Sequence, residues 1–216
     1  MARKDRTGNR VGRDTFKKKS PALGKYIIYT DTAKTENQYL YSVKDSLSNE
    51  NQSKISIQVF QEKTENLVKA CREDYTMRSQ YCEPWIVFDR DQVPNFDKII
   101  QDAKKNGIKV GWSNPCIEIW FGAYFGKMDN SWDISKRCCR KFNDLFKKKT
   151  GQEYKKSNSK NYELLKRYGD EEKAIRKAEQ KLQSYLSAGI RKPSEMTACT
   201  TLHHLIGEII EKGKAQ

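Results

Sequence analysis

The chain has 216 residues, only 36% of them hydrophobic, a mean hydropathy of −0.92 and a formal charge of +14. No stretch approaches the roughly 18 apolar residues of a membrane span, and Met1-Ala2-Arg3-Lys4-Asp5-Arg6 leads into no hydrophobic run, so neither an anchor nor a secretory leader is expected. The length suits one domain with a helical appendage, and the core it can build is thin.

Residues 1–22 are polar, basic and aperiodic and read as a flexible arm. Tyr26, Ile27 and Ile28 mark a first strand over 25–30. The spacing of Tyr39, Leu40, Val43 and Leu47 predicts a helix over 33–48. Ile55, Ile57 and Val59 alternate as a second strand. Thr64 is placed to cap a helix over 64–79, with Leu67, Val68, Cys71 and Tyr75 inward. The apolar run at 84–88 is a third strand. A helix over 95–106 buries Phe96, Ile99, Ile100 and Ala103 and stops at Gly107, and residues 108–112 form a fourth strand. Asn114 before Pro115 reads as a helix start, opening an all-apolar helix from Cys116 to about Phe125. Beyond Gly126 no strand pattern is seen. Helices are expected over 133–148, 160–167, 170–187 and 194–212, with 149–160 as a polar link.

Strands alternating with helices predict an α/β fold: a small, mostly parallel sheet flanked by helices, with right-handed crossovers. The division expected is a basic arm over 1–22, an α/β core over 23–126, and a helical extension over 127–216 that packs on one side.

The positive charge is concentrated. Residues 1–25 hold nine Lys/Arg against two acids, and residues 136–160 hold ten against two, while the remainder is nearly neutral. Two basic segments around a neutral body point to a polyanion partner held partly by counterion release. Lys17, Lys18, Lys19, Lys136, Arg137, Arg140, Lys141, Lys147, Lys148, Lys149, Lys155 and Lys156 are the candidate nucleic-acid contacts. The six cysteines form no C-x-x-C pair, and the only histidines, His203 and His204, are adjacent on an expected helix. Reduced thiols in a cytoplasm are expected, and no zinc site.

In open parallel sheets ligands bind beyond the carboxyl ends of the strands. Asp31 follows the first strand, Asp89 and Asp91 follow the third, and Glu118 lies in the first turn after the fourth. Asp89 and Asp91 are two apart, so extended chain would point both carboxylates the same way. Gathered at one rim, these groups form an oxygen-rich site for Mg²⁺ or Mn²⁺. Lys34 opens the next helix, where a cation can stabilise phosphate charge, and Glu36 is a further ligand or a general acid/base. Taken singly each has a plainer role: Asp31 as a cap, Asp89-Arg90-Asp91 as a turn with an ion pair, Glu118 at a helix dipole, Glu36 as a solvated glutamate. A receiver-like phosphoacceptor would need a fifth strand followed by lysine. A haloacid-dehalogenase-type phosphatase would put its D-x-D after the first strand.

Three stretches resemble the RloB family. Asp31-Thr32-Ala33-Lys34-Thr35-Glu36-Asn37 is similar to its E-G-E-K-T-E-P signature, Trp85-Ile86-Val87-Phe88-Asp89-Arg90-Asp91 to its W-x-V-F-D-R-D strand, and Ser113-Asn114-Pro115-Cys116-Ile117-Glu118-Ile119-Trp120 to its S-N-P-C-F-E-x-W segment. A weaker likeness to its closing P-x-x-T helix covers Pro193 to Ile206. The resemblance implies a Toprim-like domain, a Mg²⁺- or Mn²⁺-dependent endonuclease acting on RNA such as tRNA or on DNA, and a toxic effector in antiphage abortive infection with an AAA-type ATPase partner. Oligomeric state is left open. The family's first glutamate is Asp31 here, and its second is Ala33. Aspartate is one methylene shorter, and the departure admits three readings: a metal closes the gap through a water, Glu36 substitutes, or the site is degenerate and the protein binds nucleic acid or docks on its ATPase partner.

Overall fold

The computed structural model describes residues 24–32, 34–78, 82–91 and 93–214. The expected basic arm, with Lys17, Lys18 and Lys19, lies outside them. Nearly every apolar run becomes the strand its pattern predicts: β1 (Gly24–Thr30), β2 (Ile55–Gln61), β3 (Cys82–Asp89) and β4 (Lys109–Asn114). The helices of the first half are α1 (Thr35–Asp45), a short α2 (Asn49–Lys54) that the pattern did not reveal, α3 (Leu67–Arg78) and α4 (Phe96–Lys105). Gly107 ends α4 at φ +70°, a left-handed conformation that side chains resist. The second half holds α5 (Glu118–Tyr124), α6 (Ser135–Thr150), α7 (Asn161–Tyr168), α8 (Glu171–Ser187) and α9 (Leu202–Lys214).

The strands run in the order β2-β1-β3-β4-β5, with every pair parallel but the last. β5 is Cys199–Thr200, a two-residue strand antiparallel to the end of β4. It is a fifth strand that the sequence did not betray, because two residues carry no period. Ser113 and Thr200 share a hydroxyl hydrogen bond of 3.1 Å at that pairing. The helix expected over 194–212 is correspondingly a 3₁₀ turn over Pro193–Glu195, this strand, and then α9.

The two faces are packed by different helices. Tyr39, Leu40 and Val43 of α1 share a core with Tyr26, Ile28, Trp85 and Val87 and with buried residues of α5, α6, α7 and α9. Leu67 and Cys71 of α3 and Phe96, Ile100 and Ala103 of α4 pack with Ile86 and Phe88 on the other. The C-terminal helices do not keep wholly to one side: Leu182 near the end of α8, with Met196 and Cys199, joins Trp112 in the second core. With α1 and α3/α4 on opposite faces, the winding direction reverses between β1 and β3. The crevice at their carboxyl ends is where such sheets bind ligands.

One close approach fixes α5. A Cβ on Gly122 would lie 2.7 Å from the Lys127 carbonyl oxygen and 2.8 Å from the Trp132 ring. Only glycine lets the chain return so tightly over this helix.

Candidate metal centre

Four carboxylates converge on that crevice. Asp31 sits on the bend after β1. Glu36, 2% exposed, enters from the first turn of α1. Asp89 is the last residue of β3, and Glu118, fully buried, opens α5. Their mutual repulsion is visible in their acidities. Burial first, and then the Asp31 and Glu118 charges, push Glu36 up to about 7. Burial pushes Asp31 up to about 6, partly offset by hydrogen bonds including that from Thr64. Asp89 keeps some exposed surface, yet its carboxyl is held well above the usual range by burial, Glu36, Glu118 and Asp31 in that order.

The local structure explains the convergence. β3 and β4 continue their exchange past the last strand residue, with the Arg90 amide on the Ser113 carbonyl at 2.9 Å and the Asp91 amide on that of Pro115 at 3.2 Å. The Asn114–Pro115 peptide is cis, and the chain then turns so that the Ile117 amide donates to Asp89 Oδ2 at 3.0 Å. Asn114 is therefore not a helix cap. Its side-chain amide donates to the carbonyls of Pro193 (3.1 Å) and Ser194 (3.4 Å), and α5 begins three residues beyond Pro115. Behind the site Trp120 donates to the Tyr39 hydroxyl (2.7 Å), Tyr39 and Tyr124 share a hydrogen bond (2.9 Å), and Tyr124 donates to Glu171 (2.8 Å). This chain of buried polar groups ties α1 and α5, which carry Glu36 and Glu118, to α8.

Among the described residues, two oxygens in the cluster are buried without a hydrogen-bond partner, Asp31 Oδ1 and Glu118 Oε2. Unpaired buried oxygens are costly, and four crowded carboxylates more so, unless a cation satisfies them. The donor set is all oxygen, which suits Mg²⁺ or Mn²⁺. The residues present therefore fit the ion that the sequence predicts.

Not every expected residue joins the group. Asp91 is exposed on the turn after β3 and is not among the charges that perturb Asp31, Glu36 or Asp89. The strand ends at Asp89, two residues short of Asp91, so the period-two argument does not reach it. Asp91 instead lines a cleft of about 390 Å³ with Arg90, Pro115, Asp133 and Ser135. Lys34 is exposed at the N-terminal boundary of α1. Thr64 does not cap a helix through its side chain; its hydroxyl lies 3.4 Å from Asp31 Oδ2.

The partners of Glu118 come from the segment read as a polar link. Tyr154 donates to its Oε1 at 3.1 Å, and Lys156 reaches the same oxygen at 3.2 Å. Tyr154 was the one aromatic in that stretch, a signal that it is buried; its ring packs against Phe121, Phe142 and Phe146. Lys156, counted as a backbone grip, belongs to the site itself. Cys116 and Cys139 also approach, with donor atoms of Cys116, Glu118 and Cys139 all within 4.8 Å of one another. Cys71, Cys116, Cys138, Cys139 and Cys199 are free thiols.

Of the other basic candidates, Lys136, Arg140, Lys147, Lys148, Lys149 and Lys155 are exposed. Arg137 pairs with Asp133, Lys147 with Glu153 (3.1 Å), and Lys141 with the Ser131 hydroxyl (2.7 Å). Among the described residues no helix is long and apolar enough to cross a membrane.

Residues 26–209 match the family described as RloB-like protein. No curated protein and no solved structure matches the chain.

Proposed function

This chain belongs to the RloB-like family, and on that premise we propose that it is a divalent-metal-dependent nuclease that hydrolyses phosphodiester bonds in nucleic acid. The observation that carries the reading is the burial of Asp31, Glu36, Asp89 and Glu118 together, with two of their oxygens unpaired among the described residues. Bound there, Mg²⁺ or Mn²⁺ supplies an activated water and stabilises charge on the phosphate. In this reading Glu36 takes the place of the family carboxylate that is Ala33 here. Lys156, half exposed at the mouth and anchored on Glu118, neutralises the scissile phosphate, the role first expected of Lys34. The exposed lysines at the end of α6 hold the flanking backbone.

The Toprim-like assignment, the role as toxic effector in antiphage defence and the AAA-type ATPase partner are part of this proposal, drawn from the family resemblance. The test is incubation of purified protein and Mn²⁺ with plasmid, total RNA and tRNA in separate reactions. Discrete products from at least one pool, absent with EDTA and with Asp89→Asn, are expected. Failure to bind millimolar Mg²⁺ or Mn²⁺ in calorimetry would instead favour the degenerate reading, a nucleic-acid-binding or ATPase-docking protein.

A further inference from the structure

A second cluster lies apart from the four carboxylates, where α8 meets α9. His203 Nε2 is 2.8 Å from Glu179 Oε2, and His204 Nε2 is 3.1 Å from the same oxygen. The three donor atoms all lie within 4.8 Å of one another. Successive residues on a helix point about 100° apart and do not normally face one target. Here the buried His203 ring and the half-exposed His204 ring, with centroids 4.1 Å apart, aim at a single oxygen.

The surroundings are those of a held ligand set. The His203 side chain is 2% exposed, so its ring is fixed by packing; its Nδ1 is buried with no hydrogen-bond partner among the described residues. Gln183 donates to the other Glu179 oxygen at 2.8 Å and orients the carboxylate. Glu179 and His204 are about half exposed, at 42% and 48%, so one side of the cluster is open. His204 also lines a groove of about 570 Å³ with Lys109, Trp112, Arg191, Thr201 and Glu208.

We propose that Glu179, His203 and His204 form a site for a borderline transition-metal ion of the zinc class, with an exchangeable fourth position open to solvent. Two imidazoles and one carboxylate suit such an ion and not magnesium. With metal–donor bonds of about 2.0–2.1 Å, a tetrahedral site sets neighbouring donors about 3.3 Å apart. The observed 2.8 and 3.1 Å need only a small widening. The ion would join α8 to the start of α9, which packs on β4, and so fasten the C-terminal helix to the sheet. The expectation of no zinc site considered His203 and His204 without Glu179, which is 24 residues from His203 and sits on another helix.

The test is a Co²⁺ titration of the full chain beside Asp89→Asn, whose weakened all-oxygen cluster shows how much Co²⁺ binds there; the binding at issue is the part that Asp89→Asn retains. One equivalent should bind without a thiolate charge-transfer band and raise Tm. Glu179→Gln and His204→Ala, both at half-exposed positions, should keep the metal-free Tm and weaken binding at least tenfold. Binding unchanged in both variants, no binding at all, or a thiolate band abolished by Cys139→Ser would each overturn the proposal. None of these results depends on nuclease activity.

Discussion

The Lys156 ammonium lies 3.2 Å from an oxygen of Glu118, joining a half-exposed cation to a carboxylate with no solvent exposure. Partial burial works against the lysine charge, but Glu118 outweighs it and holds the group's acidity below that of an ordinary lysine. The pair spans the mouth of the site, with one member in water and the other among the buried carboxylates.

Lys156→Met should therefore do two things. Glu118 keeps Tyr154 but loses its counter-charge, so the metal-free protein should lose about 1–3 kcal/mol, measured by urea denaturation in EDTA. Mn²⁺ should restore most of that loss. Cleavage should fall at least tenfold, chiefly in kcat. An unchanged kcat would assign the lysine to charge balance alone.

Glu36 and Asp31 predict an unusual response to pH. Their folded acidities, about 7 and about 6, are raised above ordinary carboxylate values, so the fold favours their protonated forms. That stability is complete below about pH 4 and is lost as pH rises through about 6 to 7. In EDTA the Tm should fall over this window, once other titrations are subtracted with Glu36→Gln. In Mn²⁺ the metal-induced rise in Tm should grow across the same window, because the ion displaces protons. At pH 8 in EDTA, Glu36→Gln should be more stable than the parent while binding Mn²⁺ at least tenfold more weakly. A variant less stable than the parent there would contradict the repulsion.

Asp89 and Asp91 separate cleanly. Asp89→Asn removes a member of the cluster and should weaken Mn²⁺ binding at least tenfold. Asp91→Asn alters an exposed turn, and its effect on Mn²⁺ affinity should be smaller by an order of magnitude. Calorimetry on the two variants decides it, and equal losses would return Asp91 to the ligand set.

The end of α6 offers a test of the nucleic-acid grip. Lys147, Lys148 and Lys149 are exposed in its last turn. If each meets a phosphate, replacing all three with Gln should reduce the slope of log K against log salt by roughly 2–3, with little change in Tm. A slope unchanged within error would move the binding face elsewhere.

Gly122→Ala tests the seating of α5. A methyl group there meets the Lys127 carbonyl and the Trp132 ring at under 3 Å. The expected cost is about 1–3 kcal/mol in denaturant unfolding, with weaker Mn²⁺ binding because α5 carries Glu118.

Most of the sheet was legible in the sequence because β1 and β3 carry unbroken apolar runs, Tyr26-Ile27-Ile28 and Trp85-Ile86-Val87-Phe88, and β2 alternates through Ile55, Ile57 and Val59. The rim carboxylates followed from the strand ends. What escaped were choices made by tertiary contact. Asn114 and Thr64 carry good capping side chains, but each is engaged elsewhere, Asn114 on the carbonyls of Pro193 and Ser194 and Thr64 on Asp31. Asp91 was placed by continuing a strand that had already stopped. Tyr154 and Lys156 lie 36 and 38 residues beyond Glu118, and nothing local marks them as its partners.

That last separation bears on how the protein can be dissected. A fragment ending near residue 126 would retain all four acidic groups yet discard the phenol and the ammonium that make Glu118 tolerable, along with the strand that props Asn114. Such a truncation should yield an insoluble or inert polypeptide rather than a minimal enzyme. Any transplant of this centre into another scaffold must carry the basic segment with it.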